Sequence, residues 1–204
     1  MKKKLIIAAL AILGVAFGAS AQMRWAPVVG VTGNSLKFKQ DLVEVSPTVG
    51  YQAGIMGEMI FPGIGIGLDL GLLYNQSGGE VNLGNRLIWS SEGYGKEKVY
   101  LHNINIPVHL RFKFTRLNGL EDKIAPVIYG GPEFNIQVAH GRCKAFDYSG
   151  GDFGLTVGGG AELWKRWQIT GGYTWGMTYV LKTKLLDNFS ARSRQWFVRC
   201  AYFF

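Results

Sequence analysis

The chain has 204 residues, 48% hydrophobic and 18% charged, with a formal net charge of +8 and two cysteines. That is enough for one domain with a substantial core, and too little cysteine for a disulfide-dense secreted scaffold. Beyond residue 21 no apolar run approaches the roughly 20 residues of a membrane-spanning helix, so a chain that enters a membrane with this sequence does so as a barrel.

Residues 1–21 read as an export signal. Lys2, Lys3 and Lys4 precede an uncharged aliphatic run, and Ala19-Ser20-Ala21 supplies the small-x-small pattern, with cleavage expected before Gln22. Removing this segment lowers the formal charge from +8 to +5. Much of the basicity therefore belongs to targeting, and no nucleic-acid partner is expected. Residues 22–204 are expected to form a single domain.

Period-two alternation dominates the remainder. A first strand is placed around Trp25 to Thr32, although its alternation is poor and Pro27 removes a ladder donor. Val49, Tyr51, Ala53, Ile55 and Met59 then alternate with Gly50, Gln52, Gly54 and Glu58. A tight turn at Phe61-Pro62-Gly63 leads to Ile64, Ile66, Leu68, Leu70, Leu72 and Tyr74, interleaved with Gly65, Gly67, Asp69, Gly71 and Asn75. In "NINIPVHLRFKF", Ile104, Ile106, Val108, Leu110, Phe112 and Phe114 alternate with Asn103, Asn105, Pro107, His109, Arg111 and Lys113. Pro107 is expected to mark a bulge.

Four further strands follow. They centre on Ile128 to Val138, Phe153 to Leu163, Gln168 to Tyr179 and Gln195 to Phe204. The eight strands are joined by alternately long and short connections, the long polar ones at about residues 33 to 46, 76 to 98, 141 to 152 and 181 to 193. Long outer loops and short periplasmic turns are the habit of outer-membrane barrels. The pattern therefore predicts an all-β, eight-stranded antiparallel up-and-down transmembrane β-barrel with a polar lumen, in the outer membrane of a Gram-negative envelope, both termini in the periplasm.

Side-chain size assigns the faces. The polar face carries Gly50, Gly54, Gly65, Gly67, Gly71, Gly154, Gly158, Gly160, Gly172 and Gly176, which suit the cramped interior of eight strands. On that face Glu58, Asp69, Glu133 and Glu162 can meet Arg111, Lys113 and Arg199 as a lumen charge network, because buried charges are tolerated only when paired. The outward face places Tyr74, Trp175 and Tyr179 toward the loops and Phe112, Phe114, Trp164, Trp167, Tyr202 and Phe204 toward the turns, as two aromatic girdles.

The signal segment, "YLHNINIPVHLRFKF", "APVIYGGPEFNI", "FGLTVGGGAELWKRWQITGGYTWGM" and the terminal "VRCAYFF" together resemble the PorT-like family of small outer-membrane β-barrel proteins. The resemblance covers essentially the whole mature chain and rests on structural motifs. It implies an outer-membrane barrel. The secretion role of the family's namesake does not come with it, since no catalytic or binding motif is shared.

Chemistry-bearing residues are sparse. His102, His109 and His140 lack ligand spacing with a carboxylate or cysteine, so no metal and no cofactor is expected. His109 is assigned to the lumen hydrogen bonds. Ser77, Ser90, Ser91, Ser149, Ser190 and Ser193 are placed in loops with none in a nucleophile elbow, and "GGGAE" from Gly158 lacks the lysine and helix of a phosphate loop. No enzyme is expected. Cys143, in an outer loop, and Cys200, facing lipid, are too far apart to bond.

In the last loop region Lys182, Lys184, Arg192 and Arg194 are candidate lipopolysaccharide contacts. Phe204 with Tyr202 resembles the signal read by the barrel-assembly machinery, a partner during biogenesis. The role expected is structural or surface interaction by a monomer, with an unknown partner at the outer loops. The alternatives are a narrow pore for water or small ions, and a soluble periplasmic lipocalin-like barrel.

Overall fold

The computed structural model describes residues 22–39, 44–61, 65–84, 95–115, 119–141, 146–183 and 190–204. The alternating segments become ten strands: β1 (Gln22–Phe38), β2 (Glu44–Ser46), β3 (Thr48–Ile60), β4 (Ile66–Gly84), β5 (Gly95–Lys113), β6 (Ile124–His140), β7 (Phe146–Tyr148), β8 (Gly151–Leu163), β9 (Trp167–Thr183) and β10 (Ser190–Tyr202). Each long strand pairs antiparallel with the next, and β10 returns to pair with β1 over Val28↔Ala201 to Phe38↔Ala191. The short β2 and β7 extend the lines of β3 and β8, pairing with β4 and β9. The sheet is thus a closed antiparallel barrel of eight long strands. Closure satisfies the backbone without an edge, which a chain crossing hydrocarbon on strands requires.

The outward face in the first two-thirds of the barrel, counted from the chain termini, is apolar. Val29, Val31, Ile55, Leu72, Leu110, Ile128, Val157 and Ile169 all stand exposed, Leu110 at 63%. Such a band would aggregate in water and is at home in lipid. The inward face of the same rows holds buried Glu58, Asp69, Asn105, His109, Arg111, Glu133, Glu162 and Arg199. Inward glycines make room for them and for lumen aromatics: a Cβ at Gly158 would sit 2.5 Å from the Tyr129 ring, and one at Gly172 2.6 Å from Phe197.

Strand lengths differ from the sequence reading. The segments at 33 to 46, 76 to 98, 141 to 152 and 181 to 193 are not all loop: β1 runs on to Phe38, β4 to Gly84 and β9 to Thr183, while β5 begins at Gly95, β8 at Gly151 and β10 at Ser190, and β2 and β7 lie within them. In the third of the barrel farthest from the termini the polarity inverts. Leu36, Phe38, Val81, Val99, Leu101, Phe146, Val180, Leu181 and Ala191 form a buried apolar cluster inside, and Lys37, Lys39, Lys98 and Lys182 stand exposed outside. This part of the barrel has the polarity of a water-facing one, so its apolar positions change parity and imitate a loop. Ser77, Ser190 and Ser193 accordingly lie on strands rather than in loops.

The bulge expected at Pro107 is absent. Pro107 pairs with Glu133, and the offset between β5 and β6 falls instead between His102 and Asn103. Gly71 lies against the proline ring, where a Cβ would meet Pro107 Cγ at 3.0 Å; the small neighbour lets the ring fit without a shift in register.

At the termini end, β8 and β9 are joined by a tight turn whose central residues Trp164 and Lys165 have φ of 49° and 60°. The Arg166 amide donates to the Leu163 carbonyl at 3.1 Å, giving a hairpin turn that matches strand twist. Lys165 pairs with Asp122 of the 3-10 turn Leu120–Asp122 at 2.7 Å, and this hydrogen bond holds its ammonium above the ordinary lysine value. The turn at Pro62-Gly63 lies outside the described residues.

Candidate functional site: the barrel lumen

The lumen is built by parity. Odd residues of β4 and β5 and even residues of β1, β3 and β8 point inward, so residues distant in sequence meet across the lumen. Nearest the termini, Glu58 gathers three cations: Arg24 Nη2 donates to its Oε1 at 2.8 Å, Arg111 Nη1 donates to its Oε2, and Lys113 Nζ lies 3.9 Å away. Glu162 takes Arg24 at 2.5 Å and Lys113 at 2.6 Å. Arg111 also donates from Nε to Asp69 Oδ2 at 2.8 Å and from Nη1 to Gln168 Oε1 at 2.9 Å. One guanidinium therefore ties β3, β4 and β9 together.

A second centre forms on Glu133. Its carboxylate lies 3.2 Å from His109 Nε2 and 3.4 Å from Arg199, and accepts from Asn105 at 3.1 Å. Arg199 donates from Nε to Gln52 at 3.0 Å and stacks 3.8 Å over the Phe197 ring. Above it amides take over from charges. Gln195 donates to Asn34 at 2.5 Å and accepts from Asn75 at 3.1 Å, and Asn103 donates to Ser77 at 2.9 Å. Two apolar clusters share the interior with them, one of Ala26, Val28, Met56, Leu73, Ala201 and Phe203 and one of Val127, Tyr129 and Phe197.

All seven charges expected in the lumen are buried there, and four carboxylates face four cations once Arg24 is included. Arg24 was legible only in part. On β1 its inward neighbours Ala26 and Val28 are apolar, which hides the parity that Gly30, Thr32 and Asn34 later restore. The neutral Gln52, Asn105 and Gln168 share the inward parity, and contact decides which charge each one serves. The four carboxylates and four cations named here are each paired across strands, so the network locks those strands together.

The aromatics expected outside stand outside. Near the termini, Trp167 packs edge-on to Tyr202 at 4.9 Å, Tyr202 to Phe204 at 5.4 Å and Phe112 to Phe114 at 4.9 Å, with Trp164 at 66% exposure. Toward the other end Trp175 packs on Tyr173 at 4.8 Å, Tyr74 on Tyr51 at 5.5 Å, and Tyr179 under Arg192. Tyr74 also bonds His102, oxygen to Nδ1 2.5 Å, and His140 stacks on Tyr148 at 3.8 Å. Among the described residues no group of three histidine, cysteine or acidic side chains could hold a metal ion. Cys200 is a half-buried free thiol, and Cys143 and Lys184 lie outside the described residues. Lys182, Arg192 and Arg194 stand on β9 and β10 rather than on a loop.

A family model described as "Outer membrane protein beta-barrel domain" matches residues 19–182. Among solved structures, OprG of Pseudomonas aeruginosa is similar over 91% of this chain and 97% of its own, with 11% identity and a TM-score of 0.56. Neisserial surface protein A is similar over 88% of this chain and 97% of its own, with 12% identity and a TM-score of 0.50. At these identities the likeness is one of fold. No match is found among the curated proteins.

Proposed function

We propose that this chain, which belongs to the outer membrane protein beta-barrel domain family, is a closed-lumen scaffold of the outer membrane that acts through the end of the barrel opposite its termini, without catalysis. The observation that carries this is the ion-pair lattice of Arg24, Glu58, Asp69, Arg111, Lys113 and Glu162, which spans the lumen from β1 to β9 and leaves each charge committed to another side chain. A solute path would have to break several of these contacts at once. The family resemblance supports a finer place among the PorT-like proteins, since its motifs fall on the adjacent strands β5, β6, β8, β9 and β10.

Membership of the family and the band of exposed aliphatics support insertion in the outer membrane. The inverted third of the barrel farthest from the termini supports an orientation with termini in the periplasm, because that extension has the polarity of a barrel in water, as the long outer strands of such barrels do.

Planar-bilayer recording tests the closed lumen. The wild-type protein should give no stable conductance steps; large, long-lived steps would refute it. Orientation is read independently by placing single cysteines at Lys39 and at Lys165 in a chain with Cys143 and Cys200 replaced by serine. A membrane-impermeant maleimide applied to intact cells should label the first only, and labelling of the second alone would reverse the assignment.

A further inference from the structure

The outward surface where β1, β9 and β10 meet, just beyond the apolar band, concentrates positive charge. In the ladder between β1 and β10, Lys37 stands directly opposite Arg192 and Ser35 opposite Arg194. On the other flank of β10, Arg192 opposes Tyr179 and Arg194 opposes Trp175. The next row adds two lysines: the Lys39 amide donates to the Ser190 carbonyl at 3.0 Å, and Ser190 pairs with Lys182. With about 3.4 Å of rise per residue and about 4.8 Å between strands, Lys37, Arg192 and Arg194 are mutual neighbours at roughly 5 to 8 Å.

This arrangement is costly by itself. Like charges directly opposite in a ladder are destabilising, and among the described residues of these three strands no carboxylate shares the rows. Asp147 opposes Lys182 from β7, away from the other four cations. The contrast with the lumen is plain, because there every cation has an acidic partner. The Arg192 guanidinium lies 4.9 Å over the Tyr179 ring, and its Nε is buried with no hydrogen-bond partner. Beside the patch is a cleft of about 320 Å³ lined by Ser35, Lys37, Tyr173 and Arg194 among others. Below it on the same wall come Trp175, Trp196, Val31 and Val198, all exposed.

We propose that this wall binds the phosphorylated headgroup of an outer-leaflet glycolipid of the lipopolysaccharide type. The phosphates lie among Lys37, Arg192 and Arg194, with Lys39 and Lys182 behind, and the acyl chains lie on the aromatic and aliphatic surface below. Charge complementarity selects an anion, and the continuous apolar surface under the cations selects one that carries acyl chains. A soluble acidic protein would use only half of this surface. The inference rests on the orientation proposed above, which the labelling of intact cells decides separately from binding.

The test uses the whole mature barrel in zwitterionic detergent, with bisphosphorylated lipid A, dephosphorylated lipid A and inorganic phosphate as probes. Wild-type protein should bind the bisphosphorylated lipid at least tenfold more tightly than the dephosphorylated one. Lys37→Gln/Arg192→Gln/Arg194→Gln should lose tenfold or more of that affinity, while Lys165→Gln/Arg166→Gln at the other rim should lose less than threefold. Without lipid, the triple variant should unfold at the same or a higher temperature than wild type, because repulsion is relieved; this separates lost binding from lost folding. Should the triple variant fail to fold, Lys37→Gln alone should weaken binding about threefold. Equal affinity for the two lipids, unchanged binding by the folded variant, or equal thermal stabilisation by inorganic phosphate at the same concentration would overturn the proposal.

Discussion

Replacing Arg111 by alanine tests whether the lumen is held by its charges. The guanidinium is buried and contacts Glu58, Asp69 and Gln168. Without it Asp69 loses the cation it pairs with, whereas Glu58 keeps Arg24 at 2.8 Å and Lys113 at 3.9 Å. Breaking a buried pair from one side costs about 3–5 kcal/mol. Because Glu58 remains paired and Lys113, 10% exposed, opens toward the mouth, the lower end applies, about 3 kcal/mol. That is roughly a hundredfold in the unfolding equilibrium. Reversible urea unfolding in phospholipid vesicles, followed by the fluorescence of the six tryptophans, reads the loss. The pair Arg111→Met/Asp69→Asn removes both charges and should recover about half of it or more. A single-variant loss under about 0.5 kcal/mol, or strict additivity of the two changes, would refute the pairing.

Two further outcomes follow from packing and from the girdles. Gly160→Ala should destabilise the barrel by about 1–3 kcal/mol through overpacking, since its Cβ would sit 2.0 Å from the Ile169 carbonyl oxygen; Gly171→Ala, whose nearest neighbour is at 3.5 Å, should unfold nearly as wild type in the same assay. Single-tryptophan variants keeping Trp167 or Trp175 should be quenched more by lipids brominated near the headgroup than by lipids brominated mid-chain. Stronger mid-chain quenching of either would remove it from a girdle.

Much of the membrane-embedded barrel was legible because its information is local. Alternation at period two named the strands, and the crowding of glycine on one parity named the inside, from Gly50 to Gly176. The seven charges assigned to the lumen needed nothing more than parity. Arg24 escaped because it opens a strand whose inward residues are partly apolar, and the extension opposite the termini escaped because its parity is the reverse of the rest. Leu36 and Phe38 look like outward positions of a membrane strand and are inward positions of a water-facing one.

Sequence alone determined the fold class, the number of long strands, the two faces and seven of the eight charges that pair in the lumen. Tertiary structure decided the partners: that Arg111 serves Glu58, Asp69 and Gln168 together, that Pro107 keeps its register beside Gly71, and that Lys37 stands opposite Arg192. The physical reason is closure. A strand's two faces are set by its own residues, whereas the register between β1 and β10 joins residues more than 150 positions apart and is fixed only when the whole barrel shuts.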